Sequence, residues 1–324
     1  MKIVVLDGFT ENPGDISWEP ISSQGEFAVY DRTSFDPGNI APILERAKDA
    51  EVIFTNKTPI TKTVIDQLPS LKYVGVLATG FNVVDVDYAK EKGILVSNIP
   101  TYGTAAVAQY ATALLLEMCH HVGEHSACVL NGDWENNDDW CFWNHPLVEL
   151  EGKTIGLLGF GRIGQAFAKI VQALGMKVLV YDVYQDKALE SDTLQYADLD
   201  TVLRQSDVIS LHCPLTADNT GMINAANIAK MKDGVMIVNT SRGPLINEKD
   251  LADALNNGKV AYAAVDVVST EPIRPDNPLL GAKNMIITPH IAWAPKESRM
   301  RLMDIAAENL RQYVAGNPVN IVNK

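Results

Sequence analysis

Residues 154–164, TIGLLGFGRIG, decide the fold. A short apolar strand, 154–158, runs into Gly159-Phe-Gly161-Arg-Ile-Gly164, and a helical pattern continues to about Leu174. The first glycine permits a tight turn, and the second lets backbone come close to a pyrophosphate. The third lets the helix lie against the strand, so that the helix N-terminus and its partial positive charge face the phosphates. Three glycines alone are weak, because they can simply shape a turn. Here the next strand, 177–181, ends at Asp182, 18 residues beyond Gly164, where a carboxylate accepts from ribose hydroxyls. Val183, Tyr184, Gln185 and Asp186 follow, with no cation to meet a 2′-phosphate. NAD rather than NADP is the expected cofactor.

Outward from this motif, β-branched runs alternate with helical patterns over nearly the whole chain. The runs are 3–6, 52–55, 73–77, 94–97, 154–158, 177–181, 208–211, 235–239, 261–265 and 285–288. Most are apolar on successive residues rather than alternately, which suits strands covered on both faces of a parallel sheet. Helical segments at 39–48 and 61–68 stand between them, and the alternation means an α/β fold with parallel sheets. A long apolar helix, 103–122, is followed by a polar, aromatic-rich segment at 131–146. The last helix, 295–314, stops at Gly316 with Pro318 beyond. One sheet is expected in residues 1–100 and another in 103–291, with the last helix able to pack on either.

Composition narrows the function. At 324 residues, about two domains are expected. With 47% hydrophobic and 21% charged residues, the chain can bury a sizeable core and is not a disordered one. Its net charge of −13 argues against nucleic-acid backbones and anionic lipid surfaces. Cys119, Cys128, Cys141 and Cys213 form no Cys-x-x-Cys pair and have no histidines at zinc-finger spacing, so reduced thiols and no metal are expected. The N-terminal apolar run stops after four residues, short of the ~7–15 of a signal peptide. The stretch 105–119 includes Gln109 and Glu117 and is shorter than the ~20 residues that span a bilayer. The expectation is a soluble cytoplasmic protein.

A second constellation follows three later strands. Arg242, Glu271 and His290 each stand just past the carboxyl end of a predicted parallel strand, on the edge where α/β sheets bind ligands. Singly, each could be a surface residue or a structural histidine; their shared edge with the glycine loop makes coincidence a poor explanation. Arginine offers a two-pronged donor for a carboxylate. Histidine can protonate a carbonyl oxygen as hydride arrives at carbon, and take the proton back in reverse. A carboxylate on the other ring nitrogen would fix the tautomer and favour imidazolium.

These residues, with Asn239-Thr-Ser-Arg-Gly-Pro-Leu, the stretch 266–272 and Thr288-Pro-His-Ile-Ala-Trp293, resemble the D-2-hydroxyacid dehydrogenases over essentially the whole chain. The resemblance implies Arg242 as substrate-carboxylate binder, His290 as acid/base and Glu271 as its partner. It implies a substrate domain from both termini (1–102 with 292–324), a nucleotide domain at 103–291, a cleft between them, and a homodimer. Arg162, Ile163, Cys213, Pro214, Thr240 and Asp266 match positions that line the cofactor. The segment 131–146 falls where relatives carry dimer contacts, with Trp143 a candidate to reach the neighbouring active site. The loop containing Ala78, Thr79 and Gly80 matches the substrate loop, whose N–H groups would bind the carboxylate.

That loop carries neither the arginine of phosphoglycerate and D-lactate enzymes near Leu77 and Ala78 nor the lysine of phosphite dehydrogenases. Glutamate rather than glutamine at position 271 argues against formate. The small loop and Trp293 after His290 look most like glycerate dehydrogenases and hydroxypyruvate/glyoxylate reductases. The leading expectation is reduction of a small 2-keto acid to the D-hydroxy acid. A D-lactate-type or broader reductase, or an NADH-sensing corepressor-like binding protein, is the alternative. His212 is the rival acid/base, Cys213 reads as packing, and His120, His121, His125 and His145 read as structural or surface residues.

Overall fold

All twelve strands run parallel to their neighbours, in two separate sheets. In the computed structural model, which describes residues 1–324, the chain divides into residues 1–103 with 293–324, and residues 104–292. The first unit holds β1 (Lys2–Val5), β2 (Glu26–Val29), β3 (Val52–Thr55), β4 (Tyr73–Val76) and β5 (Leu95–Ser97), in the order β2-β1-β3-β4-β5. The second holds β6 (Thr154–Leu158), β7 (Lys177–Tyr181), β8 (Leu194–Tyr196), β9 (Val208–Leu211), β10 (Val235–Asn239), β11 (Val260–Val265) and β12 (Met285–Ile287). Their order is β12-β11-β10-β9-β6-β7-β8. Strand order reverses between β6 and β9, and this switch point is where doubly wound sheets open a ligand crevice.

The continuous apolar runs have the expected cause. In the second sheet, Ile155, Leu157, Val208, Met236 and Val238 face one core, while Leu158, Ile209, Leu211, Val235 and Ile237 face another. The first sheet is covered on both faces too, Val4 and Ile53 on one side and Ile3, Val52 and Phe54 on the other. The C-terminal helix, Lys296–Val314, joins that second face through Leu302, Met303, Ala306 and Leu310.

Two strands and one helix break depart from the sequence reading. Neither β2 nor β8 is among the runs expected from the sequence: β8 is three residues with Gln195 between its apolar ones, and β2 is a short edge strand with no fully buried residue. The expected helix 103–122 ends earlier, as Thr104–His120. His121 takes a left-handed backbone (φ +49°), and a separate helix, Val122–Leu130, starts after it. No helix is long and apolar enough to cross a membrane.

Candidate active site

The glycine loop at the end of β6 is shaped for close approach. Gly159 has φ +99°, and a Cβ there would lie 2.5 Å from the Cys213 nitrogen at the end of β9. A Cβ on Gly164 would come within 2.6 Å of the Gly159 carbonyl oxygen, so the helix Arg162–Ala173 can start this near its strand only with glycine. A Cβ on Gly161 would meet nothing within 4 Å. That open side, above the N-terminus of a twelve-residue helix, fits an anionic pyrophosphate reaching main chain. Arg162 and Ile163 form its first turn.

Asp182, just past β7, accepts from the Phe160 N–H (2.5 Å) and the Tyr184 N–H (2.9 Å), which ties it to the glycine loop. No salt bridge reaches it, and Val183 and Tyr184 are exposed. Beyond β9, the His212 imidazole meets the Ser210 hydroxyl at 2.9 Å and lies against Phe167. Burial pushes its pKa down to about 4. A ring so reluctant to charge suits packing rather than proton transfer at neutral pH. Burial likewise pushes the Cys213 thiol up, away from reactive thiolate. Pro214 is exposed beside it, and Thr240, after β10, is buried.

The loop after β10 carries Arg242. Buried Asn239 accepts from the Ser241 N–H (2.9 Å) and donates to the Arg242 carbonyl (2.9 Å). The Ser241 hydroxyl reaches across to the Cys213 carbonyl. At Gly243 a Cβ would overlap the Val268 carbonyl at 2.0 Å, so this loop lies directly on the one leading to Glu271. Arg242 itself is exposed, its guanidinium donating to the Ser241 carbonyl at 2.7 Å.

Glu271 and His290 meet in space. His290 Nδ1 lies 2.7 Å from Glu271 Oε2, and the two side chains are 31% and 35% exposed. The other glutamate oxygen accepts from the Val268 N–H (3.3 Å). With the carboxylate ionised, Nδ1 carries the shared hydrogen and the tautomer is set. His290 adopts φ +56°, an unusual backbone for histidine. Asp266 holds the loop that bears it: Oδ1 accepts from the Thr288 hydroxyl (2.6 Å) and the Ile291 N–H (2.9 Å), and Oδ2 from the Ala292 N–H (2.8 Å). Asp266 is fully buried, and burial raises its pKa.

Residues 78–80 and Trp293 belong to the first unit. The Thr79 hydroxyl donates to the Ile99 carbonyl (2.8 Å), and Asn98 donates to the Thr79 carbonyl (2.7 Å). The Trp293 ring stands edge-on to Tyr102 with centroids 6.3 Å apart. Three residues that build the site stand in the quoted motifs but have no role of their own in the sequence reading. Asn239 and Gly243 shape the Arg242 loop, and Thr288 anchors the loop of His290. The signal for Asn239 is an asparagine ending a strand two residues before Ser241, the pattern of a side chain capping its own turn.

A glycine loop at a switch point and a His–Glu pair beside an arginine on the same sheet edge define a nicotinamide-dependent oxidoreductase of carbonyl or alcohol substrates. The sequence signature of the D-isomer specific 2-hydroxyacid dehydrogenase NAD-binding domain matches residues 112–292. The chain is 62% identical to a hydroxypyruvate reductase of Blautia hydrogenotrophica over 324 residues, 100% of each chain. It is 40% identical to a glycerate dehydrogenase of Methylorubrum extorquens, covering 99% of this chain and 98% of that one. Among solved structures, a D-lactate dehydrogenase from Aquifex aeolicus, complexed with NAD and lactic acid, superposes with a TM-score of 0.82. That pair is 29% identical, covering 100% of this chain and 99% of the other. The chain belongs to the D-isomer-specific 2-hydroxyacid dehydrogenases, and its cofactor is NAD.

Proposed function

We propose that the chain reduces hydroxypyruvate or glyoxylate to the D-2-hydroxy acid with NADH. The observation that carries this reading is the 2.7 Å His290–Glu271 pair on the sheet edge that also presents Arg242. Arg242 holds the substrate carboxylate in a two-pronged grip, which orients the keto group. His290 Nε2 delivers a proton to the carbonyl oxygen, while Glu271 steadies the imidazolium before transfer and the tautomer after it. The bound nicotinamide supplies the hydride. Gly161, Arg162 and Ile163 would hold its pyrophosphate, and Asp182 would hold its adenosine ribose. Cys213, Pro214, Thr240 and Asp266 would be further residues lining the cofactor. The amides of Thr79 and Gly80, which make no hydrogen bond within the chain, are further donors for a carboxylate. A loop without arginine or lysine favours a small, unphosphorylated keto acid.

We place the protein in the cytoplasm, in keeping with four free cysteines. We also propose that it is a homodimer. Leu130, Trp134, Trp140, Trp143 and Leu147 are all exposed on one short stretch, Trp140 at 86%. Such an apolar run suits burial against a second copy. Sedimentation at micromolar concentration should return twice the chain mass.

The substrate is tested by following NADH oxidation with hydroxypyruvate, glyoxylate, pyruvate and bulkier keto acids. Hydroxypyruvate or glyoxylate should give the highest kcat/KM. Pyruvate ahead by tenfold would move the reading to a lactate-type enzyme, and NADH binding without any turnover would favour a sensor.

A further inference from the structure

The two helices interrupted at His121 bring together histidines that the reaction does not use. His121 caps the helix Val122–Leu130 in its left-handed conformation and is 8% exposed, with Nε2 buried and without a hydrogen-bond partner. Glu124, one turn later, meets His145 Nε2 through both carboxylate oxygens, at 2.8 and 2.9 Å. The His121 and His145 rings lie 4.4 Å apart at 33°, and Tyr262 closes one side at 4.9 Å. One ring nitrogen from each histidine and one Glu124 oxygen all fall within 4.8 Å of one another.

We propose that His121, Glu124 and His145 form a three-ligand site for a divalent cation of the zinc class, which ties the tryptophan-bearing segment to the helix before it. The ligand set is two imidazoles and one carboxylate, with a fourth position for water or a further donor. Tetrahedral ligands at ~2.0–2.1 Å stand about 3.3 Å apart. Closing the cluster from 4.8 Å to that spacing falls to the partly exposed Glu124 and His145 side chains, around the buried His121. A buried ring nitrogen with no partner is costly to leave, and a cation satisfies it where a hydrogen bond does not.

The surroundings position the ligands. His125 Nδ1 meets the His121 carbonyl at 2.9 Å, and its Nε2 accepts from the Asn144 N–H at 3.1 Å. His125 therefore fixes the residue before His145, and acts as a positioning residue rather than a ligand. Asn144 also donates to the Cys128 sulfur at 3.3 Å, pinning the segment again.

The full chain is titrated with Zn²⁺ against a chromophoric chelator, alongside Glu124→Gln and His145→Gln, whose side chains are exposed enough to be replaced without unfolding. One Zn²⁺ per chain should bind the unaltered protein, and each variant should bind at least tenfold more weakly. Zn²⁺ should raise the thermal midpoint of the unaltered protein and not that of the double variant. Co²⁺ should give the visible absorption of a tetrahedral nitrogen–oxygen site, lost in the double variant. Binding no tighter than in the double variant, or retained unchanged in both single variants, would overturn the proposal.

Discussion

Asp7 in the first unit and Asp266 in the second occupy matching places and do matching work. Each is buried just past the end of a parallel strand and clamps the loop after the neighbouring strand. Asp7 accepts from the Asn56, Lys57 and Thr58 N–H groups at 2.6–2.8 Å. Asp266 accepts from Thr288, Ile291 and Ala292. The loops so held differ. The second presents a half-exposed His290 bonded to Glu271, with Arg242 on the same sheet edge. Beside the first lies Glu11, fully buried, with only the Thr10 hydroxyl on one carboxylate oxygen and none on the other. The latch is common scaffolding, and its surroundings differ: a partly exposed His–Glu pair in the second unit, a buried carboxyl in the first.

Arg242→Ala breaks the comparison most sharply, because it removes the cation from the reactive edge. Each hydrogen bond to a charged group is worth about 1.5–3 kcal/mol, so losing two should lower kcat/KM for the keto acid roughly 10²–10⁴-fold. NADH affinity, read by fluorescence titration, should not change. A kcat/KM within tenfold of the unaltered enzyme would remove Arg242 from the carboxylate site.

Glu11→Gln probes the buried carboxyl beside the first latch. Burial first, then Asp7, push this carboxyl from 4.5 up to about 8. Native protein therefore prefers it protonated; stability is intact below pH 4.5 and is lost as pH rises toward 8. At about 1.4 kcal/mol per unit, the cost at pH 8 is roughly 3–5 kcal/mol. Urea unfolding should find the variant more stable by that amount at pH 8 and little different near pH 4.5. Equal stability at both pH values would mean that Glu11 titrates normally.

Asp182→Ser has the smallest expected effect. Removing a carboxylate that would repel a 2′-phosphate should raise the NADPH/NADH ratio of kcat/KM roughly 10- to 100-fold. An unchanged ratio would place cofactor choice elsewhere.

Much of this was legible in the residues, and the remainder was hidden for identifiable reasons. The interior strands announce themselves because both faces of each are covered, so their residues are mostly apolar. The short strands β2 and β8 at sheet edges carry a weaker signal. The break at His121 is invisible because the apolar pattern continues on both sides of a single residue in an unfavoured conformation. The glycine loop and Asp182 could be read from spacing, since strand, turn and helix are consecutive. Partnership of Glu271 with His290, 19 residues apart on two loops, depends on Asp266 folding the later loop back. Only the resemblance pointed to it in the sequence. The packing of Gly243 on Val268 is wholly a tertiary matter.

The proposed reduction depends on His290 as proton donor. The direct test is kcat for hydroxypyruvate reduction by His290→Gln, with NADH affinity and thermal midpoint measured on the same preparation. Loss of a positioned acid/base predicts a fall of about 10²–10⁴-fold in kcat with the other two unchanged. A kcat within tenfold of the unaltered enzyme would contradict it.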